Sequence, residues 1–283
     1  MHAGALALVL VAAVAHATWN LLAKRVGADG GVAFVWAYGL ASVVLWAPLA
    51  LAALALGSGE IDLPALGFMV GSGALHAGYF VLLQRGYGEG DLSLVYPLAR
   101  GTGPLLAVPL AAVALGERPS ALDLAGGAVI VAAVLSLTGR PRVGARAAVG
   151  FAIATGVLIA GYTVWDAHAV GTLDLSAITY YWGGEVAQVA LLAPAGMRRW
   201  SGVREAWRSS RPAVIGVAIL SPLAYVLVLR ALQLAPVSLV APAREVSIVL
   251  GTLLGAVLLG EPAGGRRVAA AVAVVVGIGL LAA

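Results

Sequence analysis

The chain has 283 residues, 61% hydrophobic and 11% charged, with a net charge of +4 and a mean hydropathy of +0.99. That balance excludes an ordinary soluble domain, and the absence of cysteine excludes disulfides, thiol chemistry and cysteine metal sites. The isoelectric point near 9.7 comes from arginines in short connections between apolar stretches, so topology accounts for it and no nucleic-acid partner is expected.

Ten apolar stretches of membrane length follow in order, which predicts an all-α integral membrane protein with ten transmembrane helices embedded in a lipid bilayer. Span 1 (3–23) carries His16, Trp19 and Asn20 at i, i+3 and i+4; Met1-His2 lacks a basic leader, so this span is read as retained and not as a signal peptide. Span 2 (32–56) holds Trp36 and Pro48. Span 3 (64–84) lines up Ser72, His76, Tyr79 and Leu83, and span 4 (92–115) lines up Tyr96, Arg100 and Gly103. The turn Leu115-Gly116-Glu117-Arg118-Pro119 closes span 4, and Ser120-Ala121-Leu122-Asp123 reads as a capping box opening span 5 (121–138). Span 6 (147–166) carries Tyr162, Trp165 and Asp166; span 7 (175–197) lines up Tyr181, Glu185 and Gln188, with Trp182 beside them. Between 198 and 211, Trp200 and Trp207 lie among arginines, which predicts an amphipathic helix at the membrane surface. Span 8 (212–231) precedes span 9 (237–259), which holds Arg244 and Glu245 and closes on Leu259-Gly260-Glu261-Pro262; span 10 (266–282) ends the series. Spans 5 and 10 contain almost nothing polar, so they belong at the periphery or against a second copy in a homodimer.

The two halves repeat. Ser93-Leu94-Val95-Tyr96-Pro97-Leu98-Ala99-Arg100 returns about 145 residues later as Ser238-Leu239-Val240-Ala241-Pro242-Ala243-Arg244. At a constant offset His16, Trp19 and Asn20 match Tyr162, Trp165 and Asp166, while Trp36 and Pro48 match Trp182 and Pro194. One-residue gaps add Tyr79 with Tyr225, Arg85 with Arg230 and Arg100 with Arg244. Residues 1–139 and 147–283 form two five-helix copies joined by a basic cytoplasmic connection at 140–146, and an odd count inverts the second copy in the membrane. Thirteen basic residues fall in connections after odd-numbered spans against two, Arg118 and Arg230, on the other face, so both termini are expected outside the cytoplasm of a multi-pass cytoplasmic (inner) membrane protein.

A charge at bilayer depth costs at least about 2.5–3.5 kcal/mol and needs a partner, a cavity or a role. The embedded charges are Arg100, Glu185, Arg244 and Glu245, with His16 and His76 besides. They either pair as structural bridges, or an arginine meets a substrate carboxylate while His16, His76, Glu185 or Glu245 takes a coupling proton. His76, Tyr79, Tyr96, Tyr162, Trp165 and Trp182 suit the wall of a pocket for a small amphipathic molecule. No zinc-binding or phosphate-cradling motif occurs, so no enzyme, metal or cofactor is expected, and Glu117 and Glu261 are read as structural turn residues.

Ala15-His16-Ala17-Thr18-Trp19-Asn20 with Lys24 following, and the paired Leu-Gly-Glu turns, resemble the EamA branch of the drug/metabolite transporter superfamily over the whole chain. The aromatic interior is most similar to that of bacterial amino-acid exporters, including aromatic amino-acid exporters. The resemblance implies a central cavity among spans 1, 3, 4, 6, 8 and 9, which leaves span 7 outside the ring. It implies export of amino acids or similar small metabolites by alternating access. Export of unrelated drugs or metabolites, or a non-transporting sensor or scaffold, are the alternatives.

Overall fold

The computed structural model describes residues 3–26, 31–57, 59–90, 92–138, 145–173, 175–250 and 265–282. The described residues are helical in α1 (Ala3–Val26), α2 (Gly31–Ala55), α3 (Leu63–Glu89), α4 (Leu92–Ala114), α5 (Ala121–Ser136), α6 (Arg146–Thr172), α7 (Ala177–Arg198), α8 (Trp200–Ser209), α9 (Arg211–Leu232), α10 (Val237–Ala243), α11 (described over 246–250) and α12 (Gly265–Ala282). Six of them, α1, α2, α3, α4, α6 and α9, are long and apolar enough to cross a membrane, and α5 and α12 are shorter apolar helices. The turn at Gly260, Glu261 and Pro262 and the connection at 139–144 lie outside the described residues.

Local chemistry sets the helix starts. Asp62 accepts from Ala65 N at 2.8 Å and places Pro64 in the first turn of α3, where its missing donor costs nothing. Ser120 and Asp123 complete the expected capping box at α5, at 3.2 and 2.8 Å. Gly116 has φ +69°, a conformation that stops α4 and that a side chain would strain. The turn it makes carries Glu117 across to α10, where its carboxylate accepts from Val237 N at 2.6 Å and Ser238 N at 2.9 Å. Glu117 is therefore structural, as the sequence suggests, but it caps a helix 120 residues away and not its own turn. The helix expected between 198 and 211 is α8: Val203 and Ala206 are buried, Trp200 meets Trp36 edge-on at 6.1 Å, and Arg204 lies 5.8 Å above Trp200.

Three expected spans differ from what forms, and the first is α3, which runs to Glu89 and not to 84. α6 runs to Thr172 and not to 166, a turn and a half further. The stretch expected as one helix over 237–259 is interrupted at Arg244 and Glu245, which are in a turn. Pro242 cannot donate within α10, and Glu245 N and Ser247 N bond three residues back, to Pro242 O and Arg244 O at 3.0 and 3.2 Å. The tightened turn rotates Glu245 toward α4.

Packing brings α1 against α9, α3 against α6 and α7, α2 against α7 and α9, α4 against α6 and α10, and α5 against α12. Glycines allow the closest approaches: a Cβ at Gly73 of α3 would stand 2.7 Å from Gly184 O and Ala187 Cβ of α7, and one at Gly126 of α5 would stand 3.0 Å from Gly277 O of α12. Between α2 and α7 two tryptophans latch reciprocally. Trp36 Nε1 donates to Val189 O at 3.0 Å and Trp182 Nε1 donates to Val43 O at 2.9 Å. Both pairs are displaced along the chain by 146 residues, so α2 and α7 treat each other alike.

A central polar cavity between the helices

The residues 72, 76 and 79 share one face of α3, and the helices packed around that face supply the rest of a cavity. Its wall comprises His16 and Trp19 of α1, Tyr38 of α2, Ser72, His76, Tyr79 and Phe80 of α3, and Arg100 of α4. On the other side stand Tyr162 of α6, Tyr181, Gly184, Glu185 and Gln188 of α7, Ser221 and Tyr225 of α9, and Arg244 after α10. They border about 680 Å³ of space between the atoms, with the open solvent at its mouth included. A smaller space of about 270 Å³ lies beside it, lined by Val9, Ala12 and Ala13 of α1 and Ala224 and Val228 of α9. His16, Arg100, Tyr225 and Arg244 border both, a layer of side chains that the two spaces share.

Aromatic rings build the larger cavity's interior. His76 stacks on Tyr162 with centroids 4.1 Å apart and meets Tyr225 edge-on at 5.2 Å. Tyr79 and Tyr225 each stand edge-on to Tyr162 at 6.0 Å, and Tyr181 lies 5.8 Å from Tyr225. His76 Nδ1 is 2.9 Å from Ser72 O, and a carbonyl only accepts. Nδ1 therefore carries the proton, and in the neutral ring Nε2 is left as acceptor.

The charges divide into three arrangements. Arg100 and Glu245 form a bidentate pair, Nε to Oε2 at 3.1 Å and Nη2 to Oε1 at 3.0 Å, with 4% and 2% exposure. Arg244 has no such partner: among the described residues it reaches Thr163 Oγ1 at 3.4 Å and lies 5.5 Å above the Tyr225 ring. Glu185, also buried, accepts from Tyr181 OH at 2.9 Å. A third carboxylate, Asp166, is fully buried and accepts from Tyr180 OH at 2.7 Å and Tyr225 OH at 2.6 Å. Tyr225 thus joins Asp166 through its hydroxyl to Arg244 through its face.

Of the residues singled out in sequence, His16, His76, Tyr79, Arg100, Tyr162, Glu185 and Arg244 border the cavity together, and Glu245 stands behind Arg100. Span 7, left outside the ring by resemblance, contributes Tyr181, Glu185 and Gln188. Three residues stand apart. Trp182 is committed to Val43, Tyr96 borders neither space, and Trp165, 38% exposed, donates to Phe68 O at 3.0 Å and packs on Gly71. Trp19, the residue matched with Trp165, lines the cavity instead, and its buried Nε1 has no hydrogen-bond partner among the described residues. Asp166, matched with Asn20 in sequence, is missing from the expected embedded charges because span 6 is expected to end on it; the longer α6 puts it well inside the helix. Its register with Asn20 was the available signal.

Residues 146–283 match the model of the EamA-like transporter family. A solved structure titled "Crystal structure of protein" superposes with a TM-score of 0.79 over 99% of this chain and 96% of its own, at 20% identity, a likeness of fold. No curated protein matches the chain.

Proposed function

We propose that the chain is a secondary transporter that exports amino acids or similar small amphipathic metabolites across the cytoplasmic membrane by alternating access. The EamA-like match over 146–283 and the six apolar spans support a multi-pass membrane transporter of small molecules. Carrying the finer reading is the cavity itself, an aromatic space with a few converging charges, walled by helices from both halves of the sequence.

In this reading ten spans form two inverted copies, 1–139 and 147–283, with both termini outside. The reciprocal Trp36–Val189 and Trp182–Val43 bonds support it, since a two-fold relation between the copies generates one from the other. So does the packing of α1 on α9 and of α3 on α6, which exchange when matched helices are swapped. The apolar pair α5 and α12 lies at the periphery, facing lipid or a second copy. Coupling to protons falls to His76, whose Nδ1 is the nitrogen held by Ser72 O, with Glu185 as the carboxylate that no cation pairs among the described residues.

The test is counterflow in proteoliposomes with a panel of labelled amino acids. Saturable exchange of at least one is expected. Protein that is monodisperse and folded yet exchanges none of the panel refutes the amino-acid assignment.

A further inference from the structure

Matched halves should carry matched charges, and here they do not. In the register that pairs Arg100 with Arg244, Glu245 falls on Gly101. Arg100 takes Glu245 as a bidentate partner from the other half, whereas the mate of that bond would need a carboxylate at 101. Gly101 has none and has room for none: a Cβ there would lie 2.6 Å from Leu135 Cδ2 of α5. Arg244 is left as a buried cation, 9% exposed, in the layer the two spaces share, and among the described residues its guanidinium meets a hydroxyl at 3.4 Å and the Tyr225 ring but no carboxylate within ion-pair distance. A guanidinium has five donors in a planar fork, and the described residues engage few of them.

We infer that Arg244 is the anion-binding pole of the cavity and that the molecule carried presents it a single carboxylate. This rests on the transporter reading and narrows its substrate class. Three observations fix the class. Arg100 is not available, because both of its contacts are spent on Glu245. A second negative charge on the ligand is opposed by Asp166 behind Tyr225 and by Glu185 on the cavity wall when it is ionised, which disfavours phosphates and dicarboxylates. And the Trp19 Nε1–H in the same wall, without a partner among the described residues, is a neutral donor that an oxygen-bearing ligand would satisfy without adding charge.

The experiment is calorimetric titration of the purified full chain with two matched triads: phenylalanine, 3-phenylpropionate and 2-phenylethylamine; leucine, 4-methylpentanoate and 3-methylbutylamine. The carboxylate-bearing members of at least one triad should bind about tenfold to a hundredfold tighter than the amine. Arg244→Gln should erase that difference and Arg244→Lys should restore part of it. An amine that binds as tightly as its carboxylates, no binding by either triad, or an unchanged preference in Arg244→Gln overturns the inference. Phenylglyoxal labelling of the native protein, read by mass spectrometry, serves if the variants do not fold: 3-phenylpropionate should protect Arg244 and the amine should not, and equal labelling with and without the carboxylate overturns it. The two readings fail separately. Carboxylate binding through Arg244 without amino-acid exchange in proteoliposomes removes the amino-acid assignment alone, and amino-acid exchange indifferent to Arg244→Gln removes the anion pole alone.

Discussion

Replacing Glu245 by Gln removes one partner of the bidentate pair and leaves the Arg100 guanidinium buried without its counter-charge. The two bonds are 3.0 and 3.1 Å long at 2–4% exposure, a setting in which stranding one partner costs about 3–5 kcal/mol. Arg244 borders the same layer, so the loss of Glu245 also leaves two cations facing each other, which pushes the cost toward the upper end. Removing both charges, in Arg100→Gln with Glu245→Gln, takes away the stranded ion and the repulsion together. The double variant should therefore be more stable than the two single losses combined allow, with a coupling of at least about 1.5 kcal/mol. Reversible unfolding by sodium dodecyl sulfate in mixed micelles, followed by tryptophan fluorescence, measures all four corners of the cycle. Losses that add within about 0.5 kcal/mol would refute the pair as an energetic unit and leave it a geometric coincidence.

At the α3–α7 contact, Gly73→Ala places a methyl 2.7 Å from Gly184 O, so a destabilisation of about 1–3 kcal/mol is expected where Ala normally favours a helix; a neutral or stabilised variant in the same unfolding assay contradicts the close packing. Glu117→Ala should uncover Val237 N and Ser238 N at a cost of about 0.5–2 kcal/mol, seen as faster hydrogen exchange confined to α10; exchange no faster than native at 237–243 rules out the cap. His76, held by Ser72 O and faced by Tyr162 and Tyr225, with Asp166 and Arg244 on the far side of Tyr225, should give counterflow a bend between about pH 5 and 8 that His76→Gln flattens. Two curves of one shape would remove it from coupling. A reporter that is active only in the cytoplasm should stay silent when fused to the C-terminus, and a strong signal there reverses the topology.

Most helix positions were legible because ten apolar stretches punctuated by Gly, Pro and charge leave little freedom: the expected 3–23, 32–56 and 212–231 lie within a few residues of α1, α2 and α9. What escaped depends on partners distant in sequence. That Glu117 caps α10, or that Glu245 turns through a tightened, proline-bearing segment to meet Arg100, is not written in any local period. The repeat itself informs unequally. For Trp36 and Trp182 the two bonds mirror each other, because α2 and α7 pack on each other and each tryptophan reaches the backbone of the other helix. For Trp19 and Trp165 the surroundings differ: one lines the cavity with no partner for its Nε1 among the described residues, while the other packs on Gly71 and Phe68. A register fixes where a residue sits along its helix, but what its side chain meets depends on which helices pack there. The buried carboxylates sharpen the point. Asp166, Glu185 and Glu245 all come from the second half, and the register sets them against Asn20, Gly39 and Gly101. Gly39 even lies against the carboxylate that replaces it, with 3.4 Å from its ideal Cβ to Glu185 Oε1. In that register the buried carboxylates fall where the two halves of the sequence differ, whereas the buried arginines Arg100 and Arg244 fall on each other.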